Sequence, residues 1–121
     1  MLKIINSIQK NWQSYRHAIR GIAYLIKSEN NFKIQLICSF ILVVIGFICD
    51  FSILKWVIAI ILIGLISMAE AFNTALEKLA DKVEPRFDKK IGLVKDVSAG
   101  AVLLISIAAL IVGLILICFP V

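Results

Sequence analysis

ILKWVIAIILIGLISMAEAFNTALEKLAD, residues 53–81, decides how the chain is read. Its first part carries no charge from Trp56 through Ala69; Glu70, Asn73, Thr74, Glu77 and Asp81 then follow. An apolar run of this kind reads as a membrane-spanning helix, since a hydrocarbon core of about 30 Å needs about 20 helical residues. The helical pattern continues to Asp81, and Pro85 ends it by disfavouring the α region in the residue before it. At 100° per residue, Glu70, Asn73, Thr74, Glu77 and Asp81 share one face of that helix. The other face carries Ala71, Phe72, Ala75, Leu76 and Leu79. With Trp56 as an interface anchor at the far side, Glu70 lies about 21 Å along the axis, below the water boundary. A carboxylate at that depth costs several kcal/mol unless it faces a protein cavity or a cation.

The composition agrees with this reading. Of 121 residues, 61% are hydrophobic, against roughly 45–50% in soluble proteins. The chain is therefore expected to be one all-α integral-membrane domain over residues 1–121. The formal net charge is +5, yet the basic residues do not gather on a soluble face. A membrane surface or its phosphates, not nucleic acid, is the implied partner. Cys38, Cys49 and Cys118 lie in or beside apolar runs without metal spacing, and are expected to be inert packing residues. MLKIINSIQKNWQSYR, residues 1–16, has neither a continuous apolar core nor a cleavage site, so the first span is expected to act as its own insertion signal.

Outward from the central run, Ile5, Ile8, Trp12, Tyr15, Ile19, Ile22 and Ile26 recur at steps of three and four. They form one stripe of a helix over residues 3–28, with Lys10, Arg16, His17, Arg20 and Lys27 off it. Such a helix suits the membrane interface; a coiled-coil strand is the alternative, on a stripe of only about three heptads. A first span is expected over residues 33–50, a second over 53–82 and a third over 97–119, stopped by Pro120. PRFDKKIGLVKD, residues 85–96, reads as a charged loop. Of the thirteen Lys and Arg, all but Lys55 lie in the N-terminal segment or in residues 78–95. The positive-inside rule then puts the N-terminus and the 82–96 segment in the cytoplasm.

Glu29, Asn30 and Asn31 precede the first span, and Lys95 and Asp96 precede the third, at the same membrane face as Glu70. A pocket of carboxylates (Glu29, Glu70, Glu77), amides (Asn31, Asn73) and one lysine (Lys95) follows. Hard carboxylate oxygens suit Mg²⁺, commonly held by one or two of them plus substrate phosphates, and a lysine suits phosphate as a point charge. The pattern points to phosphoryl transfer at a membrane surface. Glu70, deeper and more desolvated, is the candidate general base, and Glu29 and Glu77 are the candidate metal ligands. Neither a GxxxxGK[ST] nor a GxGxxG loop is present. Taken singly, the same residues have plainer readings: Glu77 with Lys78 and Asp81 a solvated helix end, and Lys95-Asp96 a helix cap.

ExxNTA[LI]ExxxD, here Glu70, Asn73, Thr74, Ala75, Leu76, Glu77 and Asp81, resembles the signature of the bacterial integral-membrane diacylglycerol kinase family. That family includes diacylglycerol kinases and undecaprenol kinases. The resemblance continues in KDxxAGAVL (Lys95, Asp96, Ala99, Gly100, Ala101, Val102, Leu103), SYxxAxxG (Ser14, Tyr15, Ala18, Gly21) and ExNFK (Glu29, Asn31, Phe32, Lys33), covering nearly the whole chain. It implies three transmembrane helices with an amphipathic N-terminal helix, in a homotrimer with shared active sites. It implies ATP and Mg²⁺ as cosubstrate and cofactor, a membrane lipid alcohol as acceptor, and the bacterial inner membrane as location. By the same resemblance Glu70 is the catalytic base supported by Asn73, and Glu29 and Glu77 ligate metal. Lys95, Asp96, Glu29, Glu77 and Tyr15 are expected to hold the nucleotide, and Ser98 to join Glu70 and Asn73 at the substrate. Leu93-Val94 departs from the pattern, where relatives often have a small residue before the lysine, which bears on local packing. EAFNTALEKLAD is more similar to the undecaprenol kinase branch than to the EILNSAIE type. Two other classes compete: a small transporter or proton-coupled channel using Glu70, and a non-enzymatic membrane protein such as a holin. The first typically has paired broken helices, absent here; the second needs no one-face Glu/Asn/Glu/Asp pattern.

Overall fold

The computed structural model describes residues 1–120, with the side chains of Leu2 and Asn6 left aside. Four helices account for nearly all of it: α1 (Leu2–Ser28), α2 (Asn30–Ile48), α3 (Ile53–Val83) and α4 (Lys89–Cys118). Three of them, α2, α3 and α4, are long and apolar enough to cross a membrane, and the chain is a multi-pass membrane protein. At 1.5 Å per residue, α3 and α4 are each about 45 Å long and outreach a hydrocarbon core by roughly 15 Å. Helix α3 is central, packing along α4 and against α2, while α1 docks on α2.

The α2–α3 turn is tight because its parts cap one another. Asp50 adopts a left-handed conformation with φ 49°, and Phe51 N–H donates to the Gly46 carbonyl at 2.9 Å. This is a Schellman-type helix end, with aspartate where glycine is commoner. Ser52 then caps α3, its hydroxyl accepting from Lys55 N–H at 3.4 Å. Phe51 folds back under Trp56, with ring centroids 5.7 Å apart. The close approach requires Gly46, where a Cβ would stand 2.9 Å from the Trp56 ring and 3.0 Å from Phe51. Trp56, expected as an interface anchor, is thus a packing residue of this corner. Phe51, Ala59 and Leu116 form the apolar core beside it, joined by Leu42, Ile58 and Val112. Lys55 Nζ crosses to α4 and donates to the Leu116 and Phe119 carbonyls at 2.8 and 2.7 Å. It satisfies acceptors that a helix C-terminus otherwise leaves bare.

The structure departs from the sequence expectation at residues 85–96. Only residues 84–88 form a connection, and α4 begins at Lys89. The cause is Asp88, whose carboxylate accepts from Lys90 and Ile91 N–H, both at 2.9 Å. That N-cap satisfies two of the four exposed donors, so the charged stretch becomes the first turns of α4. Lys95 and Asp96 consequently sit inside a helix. In α1 the apolar stripe is uncovered within the chain, with Trp12 68% exposed. The side chain that anchors α1 is instead Leu25, buried off the stripe, as is Phe32 of α2. The three cysteines are free and exposed on the chain.

Candidate active site

Along α3 the buried residues change character. Ala59 belongs to the apolar core; from Glu70 onward the buried positions are Glu70, Asn73, Thr74 and Ala80. Glu70 is 2% exposed. Its carboxylate accepts from Gln35 Nε2 of α2 at 3.4 Å, a long contact for such a bond. Asn31 is a second side-chain hydrogen-bond partner, and the Glu77 and Glu29 carboxylates bear on it electrostatically. One turn on, Asn73 Nδ2 donates to Glu77 Oε1 at 3.3 Å. The one-face arrangement read from the sequence therefore exists, graded from buried Glu70 to exposed Asp81.

This cluster has more acceptors than donors. The buried oxygens Gln35 Oε1 and Asn73 Oδ1 have no hydrogen-bond partner, while the amide nitrogens of the same residues bond Glu70 and Glu77. Unpaired buried acceptors are costly, and a cation or a hydroxyl hydrogen would satisfy them. Among the described residues no three His, Cys, Asp or Glu side chains converge to hold a metal by themselves. Mg²⁺ is commonly held by one or two carboxylates together with phosphates, and Glu29 and Glu77 are the carboxylates here that could supply them.

The cluster heads a long apolar groove. A cavity of about 610 Å³ runs between α2, α3 and α4, from Asn31, Gln35, Glu70 and Asn73 to Ile45 and Ile117. Opposite, between α3 and α4, a second cavity of about 600 Å³ is lined by Phe72, Leu93 and Val97, with Asn73 and buried Ser98 reaching it. Asn73 lines both.

The structure gathers Glu29, Asn31, Glu70, Asn73 and Glu77 as expected. Lys95 is held from α3: its ammonium binds Asp81 at 2.6 Å, with Glu77 within electrostatic range. Its helical setting in α4 turns it across to α3. Asp96 is exposed, and Tyr15 lies 66% exposed on the stripe of α1; neither joins the groups around Glu70 within the chain. Sequence reasoning missed Gln35, whose signal was an isolated amide inside FKIQLICSF, residues 32–40.

Comparison with known proteins now has a geometry to explain. The profile of the prokaryotic diacylglycerol kinase family matches residues 16–117. The chain belongs to this family. It is 31% identical over 111 residues to an undecaprenol kinase of Bacillus subtilis, covering 92% of the chain and 90% of that relative. It is also 31% identical over 101 residues to a diacylglycerol kinase of Synechocystis, covering 83% of the chain and 58% of that protein. As a member of the diacylglycerol kinase family, the chain is a lipid kinase of the diacylglycerol and undecaprenol kinase type, and the transporter alternative gives way to it.

Proposed function

We propose that the chain transfers the γ-phosphoryl group of ATP, with Mg²⁺, to the hydroxyl of a membrane lipid alcohol. Diacylglycerol and undecaprenol are the two acceptors that its relatives' names suggest. The observation that carries the reading is the buried carboxylate of Glu70 at the polar head of an apolar groove, beside the unpaired oxygens of Gln35 and Asn73. A lipid tail laid in the groove would bring its terminal hydroxyl to that carboxylate. Glu70 takes the hydroxyl proton as the lipid oxygen attacks the γ-phosphorus, and ADP leaves with the electron pair of the broken bond. Gln35 holds one Glu70 oxygen through its amide, and a remaining lone pair of the carboxylate takes the hydroxyl. Asn73 orients Glu77 and faces the substrate, and Ser98 supports it from α4.

Glu29 and Glu77 would hold the metal, whose charge offsets that developing on the transferred group. Lys95, Asp96 and Tyr15 are assigned to the nucleotide. Tyr15 and Asp96 stand outside the cluster of one chain, which fits a homotrimer in which neighbouring subunits complete the site. The uncovered stripe of α1 suits the membrane interface. The distribution of basic residues supports a cytoplasmic N-terminus, and the proposed reaction is assigned to the bacterial inner membrane. The test offers diacylglycerol and undecaprenol side by side to purified protein with labelled ATP. Mg²⁺-dependent transfer of label to either lipid is the expected result; no transfer to any extracted lipid would reject the assignment.

A further inference from the structure

Two ion pairs at the cytoplasm-assigned end have a common form. Lys78 Nζ stands 3.9 Å from Glu29 Oε1, and Lys95 Nζ stands 2.6 Å from Asp81 Oδ1. Each pair joins a residue assigned above to metal or phosphate (Glu29, Lys95) with one that has no role in the reaction (Lys78, Asp81). The unassigned partners both come from α3 and lie three residues apart, so they are neighbours on one helix face. They already interact electrostatically.

Resting on the nucleotide and metal reading above, we infer that Lys78 and Asp81 are internal stand-ins for the ligands and set the protein's affinity for Mg²⁺ and nucleotide. The Lys78 ammonium occupies the Glu29 carboxylate as a divalent cation would; the Asp81 carboxylate occupies the Lys95 ammonium as a phosphate would. When metal and phosphate take Glu29 and Lys95, the displaced Lys78 and Asp81 pair with each other along α3. Two ion pairs open, one new pair closes, and the ligands neutralise the two groups set free, so no charge is left uncompensated. The handover is easy because both pairs are substantially solvent-exposed: the side chains of Lys78 and Asp81 are each 60% accessible, and exposed pairs shift an equilibrium by only about two- to fivefold. The Lys78 ammonium also lies 5.8 Å from the centre of the Tyr24 ring. Its departure from Glu29 therefore also changes what holds the C-terminal end of α1.

A purely structural role for the pairs makes the opposite prediction, which separates the two. The experiment measures equilibrium binding of a non-hydrolysable ATP analogue, over a Mg²⁺ titration, to full-length protein in lipid nanodiscs. Asp81→Asn is expected to bind the analogue about two- to fivefold more tightly. Lys78→Gln is expected to lower the Mg²⁺ concentration for half-saturation by a similar factor. Lys95→Ala serves as control and should weaken binding. If Lys95→Ala weakens binding while Asp81→Asn and Lys78→Gln weaken it or leave it unchanged, the stand-in role is overturned and the nucleotide reading survives. If Lys95→Ala leaves binding unchanged, the nucleotide reading itself fails, and this inference with it. The two pairs are separate, so Lys78→Gln decides the matter should Asp81→Asn not fold.

Discussion

The two ends of the transmembrane helices are built on opposite principles. At the α2–α3 turn, every feature tightens: a Schellman-type end, an aromatic corner packed onto Gly46, an apolar core around Leu116, and Lys55 bonded to two main-chain carbonyls. At the other end, most buried positions of α3 are polar, the bonds Gln35–Glu70 and Asn73–Glu77 are long, and two buried oxygens have no donor. A sequence selected only for stability would not bury Glu70 with so little compensation. The contrast teaches that close packing and reactivity are separated by the length of a helix: one end fixes how α2, α3 and α4 splay, and the other carries a cluster of incompletely paired acceptors.

Substitutions can break this division. The largest effect is expected from Glu70→Gln, which keeps the shape but removes the base. Phosphate transfer should fall by about 10²–10⁴-fold, equivalent to roughly 3–5 kcal/mol of barrier, with analogue binding retained. Normal turnover in that variant would show that the polar end does not act through this carboxylate. Next come Glu77→Gln and Glu29→Gln. Each should raise the Mg²⁺ concentration for half-maximal transfer about tenfold or more; an unshifted metal titration would remove that residue from the metal's shell.

At the opposite end the expected effects are on stability. Gly46→Ala drives a Cβ into the Trp56 ring and should cost about 1–3 kcal/mol, read as a lowered thermal midpoint in detergent. Its Mg²⁺ requirement should stay that of the parent chain; a shifted one would show the two ends to be coupled. Lys55→Met is the mildest, losing two charged hydrogen bonds at a partly exposed helix end for about 1 kcal/mol. A loss as large as that of Gly46→Ala would make the lysine, rather than the aromatic corner, the main fastening of α4.

What the sequence made legible follows from which forces act locally. Hydropathy set the three spans, because apolar length is sufficient to define a membrane helix. The face shared by Glu70, Asn73 and Glu77 followed from helical spacing alone. The start of α4 was misread because Arg86, Lys89 and Lys90 mask a single capping residue, Asp88, whose effect is seen only in its bonds to Lys90 and Ile91 N–H. Lys95 went to Asp81, a choice made across two helices that no local pattern encodes. Gln35 escaped notice for the same reason: its amide matters only because α2 lays it against Glu70. The docking face of α1 was hidden because Leu25 belongs to no periodic stripe.

The groove beneath Glu70 has exposed walls, with Ile34 of α2 and Leu103 and Leu110 of α4 all more than half accessible. An acceptor of the proposed kind could slip in sideways from the surrounding leaflet without its tail ever meeting water. Encounter then becomes a two-dimensional search, governed by how crowded the bilayer is with acceptor rather than by how much is present per litre. Diluting the vesicles at fixed composition should leave the turnover of each enzyme molecule untouched, whereas diluting the acceptor with inert phospholipid should slow it.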